Sequence, residues 1–255
     1  MRRFFVGLFD RIIHKYFLRN YKLRRTFLTD INLKKRFYHK KKNEVLYVNI
    51  PGWRTNFSDS KLFRNRVIDK GFSYLSYEFP EGILSWDAKM TEKDFLKISR
   101  IIRHDLQKYF LKYPFKKIVV VGMSLGVVLA LMVANKNKLV KKIVLVVPGY
   151  DLAESLWTGI ATKNLRNKFE KEGINLSKLI NLWKKLSPSN NINNLGGKEI
   201  FVFLSEADQV INYSQGNKLL GALKKRYKVN FKINKNLGHY LTCYLAYSYY
   251  KFFND

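Results

Sequence analysis

From residue 44 onward, short apolar runs alternate with segments in which apolar residues recur at helical spacing. The runs Val45–Ile50, Phe72–Phe79, Lys117–Gly122, Lys142–Val147, Ile200–Leu204 and Tyr227–Ile233 are rich in Val, Ile and aromatic residues, and each predicts a strand. Between them, Asp59–Lys70, Thr91–Phe110, Leu125–Asn135, Ser214–Lys225 and His239–Phe252 carry the helical period. Such alternation predicts an α/β fold, a mainly parallel sheet of about six strands with helices on both faces. The interval Asp151–Lys198 breaks the rhythm, with helical stretches at Leu156–Lys171 and Leu176–Leu186 and no strand. It reads as a helical lid or cap, with Trp157, Phe169 and Trp183 either covering a substrate or forming the insert's own core. The domain so defined is 44–255.

Residues 1–43 follow another pattern. Phe4, Phe5, Leu8, Phe9, Ile12 and Ile13 fall on one side of a helix, with Arg3, Asp10, Arg11 and His14 opposite. A basic, amphipathic helical arm is expected, either packed on the main domain or lying on an anionic membrane surface. It is too charged for the apolar core of a secretory signal. The uncharged run Ile118–Ala134 is better read as strand, turn and buried helix than as a membrane span, because β-branched residues give way to a Gly-rich turn and then to helix formers.

Composition sharpens this only in part. Apolar residues make up 47% of the 255, enough for a sizeable core, and the one cysteine, Cys243, leaves no disulfide framework and no multi-cysteine metal site. Lys and Arg number 48 against 19 Asp and Glu, a net charge of +29. The first 43 residues hold 14 Lys/Arg and 2 Asp, so the excess also runs through the main domain. A field of this sign attracts nucleic acid, anionic membranes or acidic substrates; drift in a chain rich in Asn, Ile, Phe and Tyr is the plainer account. No nucleic-acid-reading motif is present, and none is expected to bind. A cytoplasmic location, possible attachment at the membrane periphery aside, fits these features; nothing in the sequence sets the oligomeric state.

Candidate chemistry begins at Gly122-Met123-Ser124-Leu125-Gly126, between a buried strand and an apolar helix. A strand-to-helix reversal this sharp exposes a serine hydroxyl at a helix N-terminus and demands glycine two residues to either side. A serine hydroxyl needs an imidazole to take its proton and a carboxylate to orient that imidazole. Of four histidines, His14 and His39 lie in the arm and His104 within a helical pattern. His239 follows the last strand signal, so it is the candidate base. Asp208, in the loop after Ile200–Leu204, is the favoured acid, with Glu206 and Asp151 as alternatives. Two backbone donors are needed for an oxyanion. Leu125, after the serine, supplies one; Trp53 supplies the other if Gly52 turns the loop after Val45–Ile50 so that its N–H faces the site.

On the elbow Gly122–Gly126, the order Ser124…Asp208…His239 and the strand-turn Ile50-Pro51-Gly52-Trp53, the chain resembles the α/β-hydrolase superfamily over about residues 45–250, and more loosely its single-domain esterase, lipase and peptidase-like members. The resemblance implies acyl transfer through an acyl-serine on a small-molecule or lipid acyl substrate, with no metal and no organic cofactor. Esters are the first expectation, with thioesters, amides and acyl transfer open. A membrane-surface lipid hydrolase or acyltransferase, and a non-catalytic hydrolase-like protein on anionic surfaces, are the rival readings. Pro51-Gly52 stands where relatives often have His-Gly. The family's first strands have no visible counterpart, so either the sheet is shortened or the arm hides a strand.

Overall fold

Parallel strands can be joined only by crossovers, and each crossover here is a helix that covers one sheet face. The computed structural model describes residues 33–248 apart from 42 and 81. Within it, β1 (Lys34–Tyr38), β2 (Val45–Ile50), β3 (Ser73–Glu78), β4 (Lys117–Met123), β5 (Val140–Val146), β6 (Glu199–Ser205) and β7 (Val229–Asn234) form a sheet of order β1-β3-β2-β4-β5-β6-β7. All pairs are parallel except β1 with β3.

The period of two along the strands sorts the side chains into two cores. Leu46, Val48, Ile118, Val120, Ile143, Leu145, Ile200 and Val202 face one side, against α2 (Ala88–Lys112), α3 (Gly126–Asn135) and α7 (Tyr213–Lys224). Their neighbours Tyr47, Val119, Val121, Val144, Phe201 and Phe203 face the other, against α1 (Lys61–Asp69) and α8 (His239–Ala246). Central strands buried on both faces explain the near-continuous apolar runs in the sequence.

The sheet has seven strands rather than the expected six or so, because β1 lies inside the segment expected to be a helical arm. Its sequence, Lys-Lys-Arg-Phe-Tyr, is mostly exposed and hides the alternation that marks a strand. Charge on an edge strand blocks edge-to-edge pairing, which is why it survives there. Specific contacts fasten it. Lys35 Nζ lies 2.6 Å from buried Asp105 Oδ1 of α2, whose Oδ2 accepts the Tyr77 hydroxyl at 3.2 Å. Burial, with the Asp105 charge beside it, holds the Tyr77 phenol well above its ordinary value, so it stays a donor. Residues 1–32, where the rest of the expected arm falls, lie outside the described residues.

The insert after β5 is helical, with α4 (Leu152–Thr158), α5 (Lys163–Lys171) and α6 (Leu176–Trp183). Phe169 and Trp183 are fully buried and meet edge to face at 5.8 Å. The Trp183 indole N–H donates to the Ala88 carbonyl at 2.8 Å, pinning the insert to the start of α2. Those two aromatics are core, not substrate wall. Among the described residues no helix is long and apolar enough to cross a membrane.

Candidate active site

The chain winds outward from β2 to β3 and then returns to the other side of β2 with β4. Adjacent strands whose following loops turn away from each other leave a crevice at their carboxyl ends, and ligands of open α/β sheets bind there. The loop after β2 and the turn after β4 meet at that crevice.

Ser124 sits in the turn with φ of +52°, a left-handed conformation that a non-glycine residue adopts at a cost of about 1 kcal/mol. The turn is held by the Ser124 N–H donating to the Val146 carbonyl of β5 at 2.9 Å. Neither flanking glycine has room for a side chain. A Cβ at Gly122 would lie 2.5 Å from Ala130 Cβ, and one at Gly126 would lie 2.1 Å from the Ile50 carbonyl oxygen. The two glycines thus serve different contacts: Gly122 lets α3 close onto β4, and Gly126 lets α3 approach the end of β2.

His239 opens α8, and Asp208 lies in the loop after β6. Pairing of Ser205 with Asn234 brings β6 and β7 together, the Glu206 N–H donates to Asn234 O at 3.0 Å, and the Ser205 hydroxyl donates to Leu237 O. These bonds fasten the acid loop to the histidine loop. Asp208 Oδ1 accepts the N–H groups of Val210 and Ile211 at 2.8 and 2.9 Å, which turns Oδ2 toward His239. The His239 Nδ1–H donates to that oxygen at 2.7 Å. Since a carboxylate can only accept, the ring hydrogen belongs on Nδ1, and Nε2 is left to accept the Ser124 hydroxyl at 2.9 Å. The side chains of His239 and Asp208 are 4% and 3% exposed, so water competes little for these bonds. An imidazole so placed can take the serine proton, and the carboxylate can stabilise the cation that results.

The other candidates sort cleanly. Asp151 caps α4, its Oδ1 accepting the Glu154 N–H at 3.0 Å, while its Oδ2 accepts the Ser187 hydroxyl at 2.6 Å. Glu206 contributes its backbone to the loop junction, and the place beside Nδ1 is held by Asp208. Leu125 stands at the N-terminus of α3, where the first N–H groups lack helical partners. Val127 and Val128 donate back to the Ser124 and Leu125 carbonyls, which closes the first turn of the helix behind the serine. Gly52 approaches so closely that a Cβ there would lie 3.4 Å from Ser124 Cβ, which puts the Trp53 backbone at the same crevice.

A pocket of about 570 Å³, open mouth included, begins at Ser124 and runs between α3 and the insert. Leu125, Val127, Leu152, Leu156, Val210 and Ile211 line it, giving an almost wholly apolar wall. Apart from Leu125, already named for its backbone N–H, none of these residues is marked as pocket lining by the sequence. Their only signal was apolar spacing at the start of α4 and beside Asp208, and core residues share that spacing.

A family model described as the prolyl oligopeptidase family matches residues 83–251. No curated protein matches the chain in sequence. Solved structures resemble it in fold. An esterase of Pyrococcus furiosus, Pf2001, is 15% identical, with a TM-score of 0.60 over 85% of this chain and 80% of its own. Est1E of Butyrivibrio proteoclasticus, solved with ferulic acid bound, is 13% identical with a TM-score of 0.66, over 88% of this chain and 94% of its own. An acylaminoacyl peptidase of Pyrococcus horikoshii is 16% identical with a TM-score of 0.62; the match covers 86% of this chain but 39% of that longer one. The α/β-hydrolase sheet, the elbow at its switch point and the family match over two thirds of the sequence lead to one conclusion: the chain is a serine hydrolase, and it belongs to the prolyl oligopeptidase family.

Proposed function

We propose that Ser124, His239 and Asp208 form the catalytic triad of a hydrolase for small carboxylic esters with apolar acyl groups. The observation that carries this reading is the unbroken chain from Ser124 Oγ through His239 to Asp208, at 2.9 and 2.7 Å, in a buried setting. Ser124 attacks the carbonyl carbon while His239 Nε2 accepts its proton. Asp208 stabilises the imidazolium, and the N–H groups of Leu125 and Trp53 hold the oxyanion. The proton then passes from Nε2 to the leaving oxygen, and water repeats the sequence to free the acid. The acyl chain occupies the pocket beneath α4, so the insert 151–198 acts as a lid through Leu152 and Leu156. Likeness to the Pyrococcus esterase supports esters as the substrate.

A fluorophosphonate probe tests the reading. The native protein is expected to be labelled on the peptide containing Ser124, and the heat-denatured protein not at all. Label on another residue, or none on the native protein, sinks it.

The basic, apolar-faced sequence of residues 1–32 supports a second element, attachment of the enzyme to anionic membrane surfaces. Full-length protein should sediment with phosphatidylserine vesicles and not with phosphatidylcholine ones, and removal of residues 1–32 should abolish sedimentation. Undiminished binding by the shortened protein would place the attraction in the main domain instead.

A further inference from the structure

We propose that Arg54 and the groove along α8 form a leaving-group compartment that selects esters whose departing group carries an anion, such as a carboxylate. This rests on the catalytic reading of Ser124 and His239 and adds the other half of the substrate to it.

A second pocket adjoins the first, with Trp53 and Ala161 lining both. Its wall is built from Arg54, Met123 and one face of α8, where Tyr240, Tyr244 and Tyr247 follow His239. In acyl transfer the leaving atom must receive a proton from the same imidazole nitrogen that took one from the nucleophile. The leaving group therefore departs on the side of His239, along the helix that His239 opens. The apolar pocket between α3 and α4 is then left for the acyl group. Tyrosine side chains suit the faces of an aromatic alcohol. Tyr247 stays a neutral phenol, since burial holds its pKa well above the ordinary value.

Arg54 supplies the charge. It is half-buried, with its guanidinium 4.4 Å from the centre of the Trp53 ring. Stacking of this kind fixes the planar fork that binds carboxylates in bidentate fashion. Its backbone gives an independent reason to assign it a function. Arg54 has φ of +62°, in a turn closed by the Thr55 N–H and hydroxyl donating to the Gly52 carbonyl. That position favours glycine or asparagine, and an arginine there is held under backbone strain. Strain of this sort is retained where the side chain is wanted. Asp59 also lines the compartment, but it is exposed and its Oδ2 is occupied by the Asn56 N–H at 2.7 Å, so water screens it more than it screens Arg54.

Phenyl butyrate and 3-carboxyphenyl butyrate provide the test, because a meta carboxylate alters the phenol's leaving ability little. Wild type is expected to prefer the carboxylated ester in kcat/KM by about tenfold or more, the range of a charge-assisted hydrogen bond. In Arg54→Gln the ratio should fall to one or below, and Arg54→Lys should recover part of it. Fluorophosphonate labelling of each variant shows that its site is intact. A preference that survives Arg54→Gln and fades with added salt belongs to the +29 charge of the whole chain and overturns the assignment. A wild-type protein that labels at Ser124 yet shows no preference, or hydrolyses neither ester, overturns this inference alone. Failure to label at Ser124 removes the catalytic reading beneath it as well.

Discussion

Ser124→Ala is expected to lower kcat for ester hydrolysis by about a millionfold, leaving only the residual acceleration from the oxyanion donors and substrate binding. The magnitude follows from the chain of bonds. Removing Oγ takes away the nucleophile, and it also leaves His239 Nε2, which accepts that hydroxyl at 2.9 Å, with no proton to move. Steady-state kinetics with an activated aryl ester measures the loss, and kcat within tenfold of wild type would place the chemistry elsewhere. The same position carries a stability signature. Ser124 holds φ of +52°, and alanine inherits that strain while glycine escapes it. Ser124→Gly should be as inactive as Ser124→Ala yet more stable than it by about 1 kcal/mol in urea unfolding. Equal stabilities would mean that the turn relaxes when the serine is lost.

Asp208→Asn is expected to lower kcat about ten-thousandfold with little change in KM. Asparagine keeps an oxygen for the Val210 and Ile211 N–H groups, which Asp208 Oδ1 accepts at 2.8 and 2.9 Å, so the loop should hold its shape. What changes is the partner of His239. An amide can present N–H to the ring and so favours the tautomer whose Nε2 carries the hydrogen, and that tautomer cannot accept the serine proton. The expected result is a folded, inactive enzyme. Glu206→Gln and Asp151→Asn provide the contrast. Neither side chain is held at His239, so Glu206→Gln should cost little. Asp151→Asn should act only through the α4 cap and the Ser187 bond, at about 1 kcal/mol. A loss of activity in Glu206→Gln as large as in Asp208→Asn would reassign the acid.

Sequence and structure divided the work along physical lines. The central strands were legible because burial on both faces forces apolar residues at every position, as in Val119-Val120-Val121. The elbow was legible because its geometry excludes all but glycine at positions 122 and 126, and steric exclusion leaves its mark in sequence. His239 was singled out by elimination among four histidines, and Asp208 was favoured as the acid with Glu206 and Asp151 left open. Edge strand β1 was not legible. One face of it meets water, its charged residues serve against aggregation, and its hold on the fold comes from contacts distant in sequence: its pairing with β3, Phe37 stacked on Tyr109, and Lys35 reaching Asp105, 70 residues away.

The sequence by itself determined the fold class, the order of the three chemical groups and the turn that exposes Ser124, because each depends on local sterics or on the period of burial. Only the tertiary structure decided which carboxylate meets His239. Asp208, Glu206 and Asp151 are equivalent as chemistry, and what separates them is where the loops after β5 and β6 aim their side chains. The two pockets, and the meeting of Arg54 with α8 at the wall of one of them, were likewise decided in three dimensions. They are made by segments far apart in the chain that meet where the sheet reverses its order, and no local pattern records such a meeting.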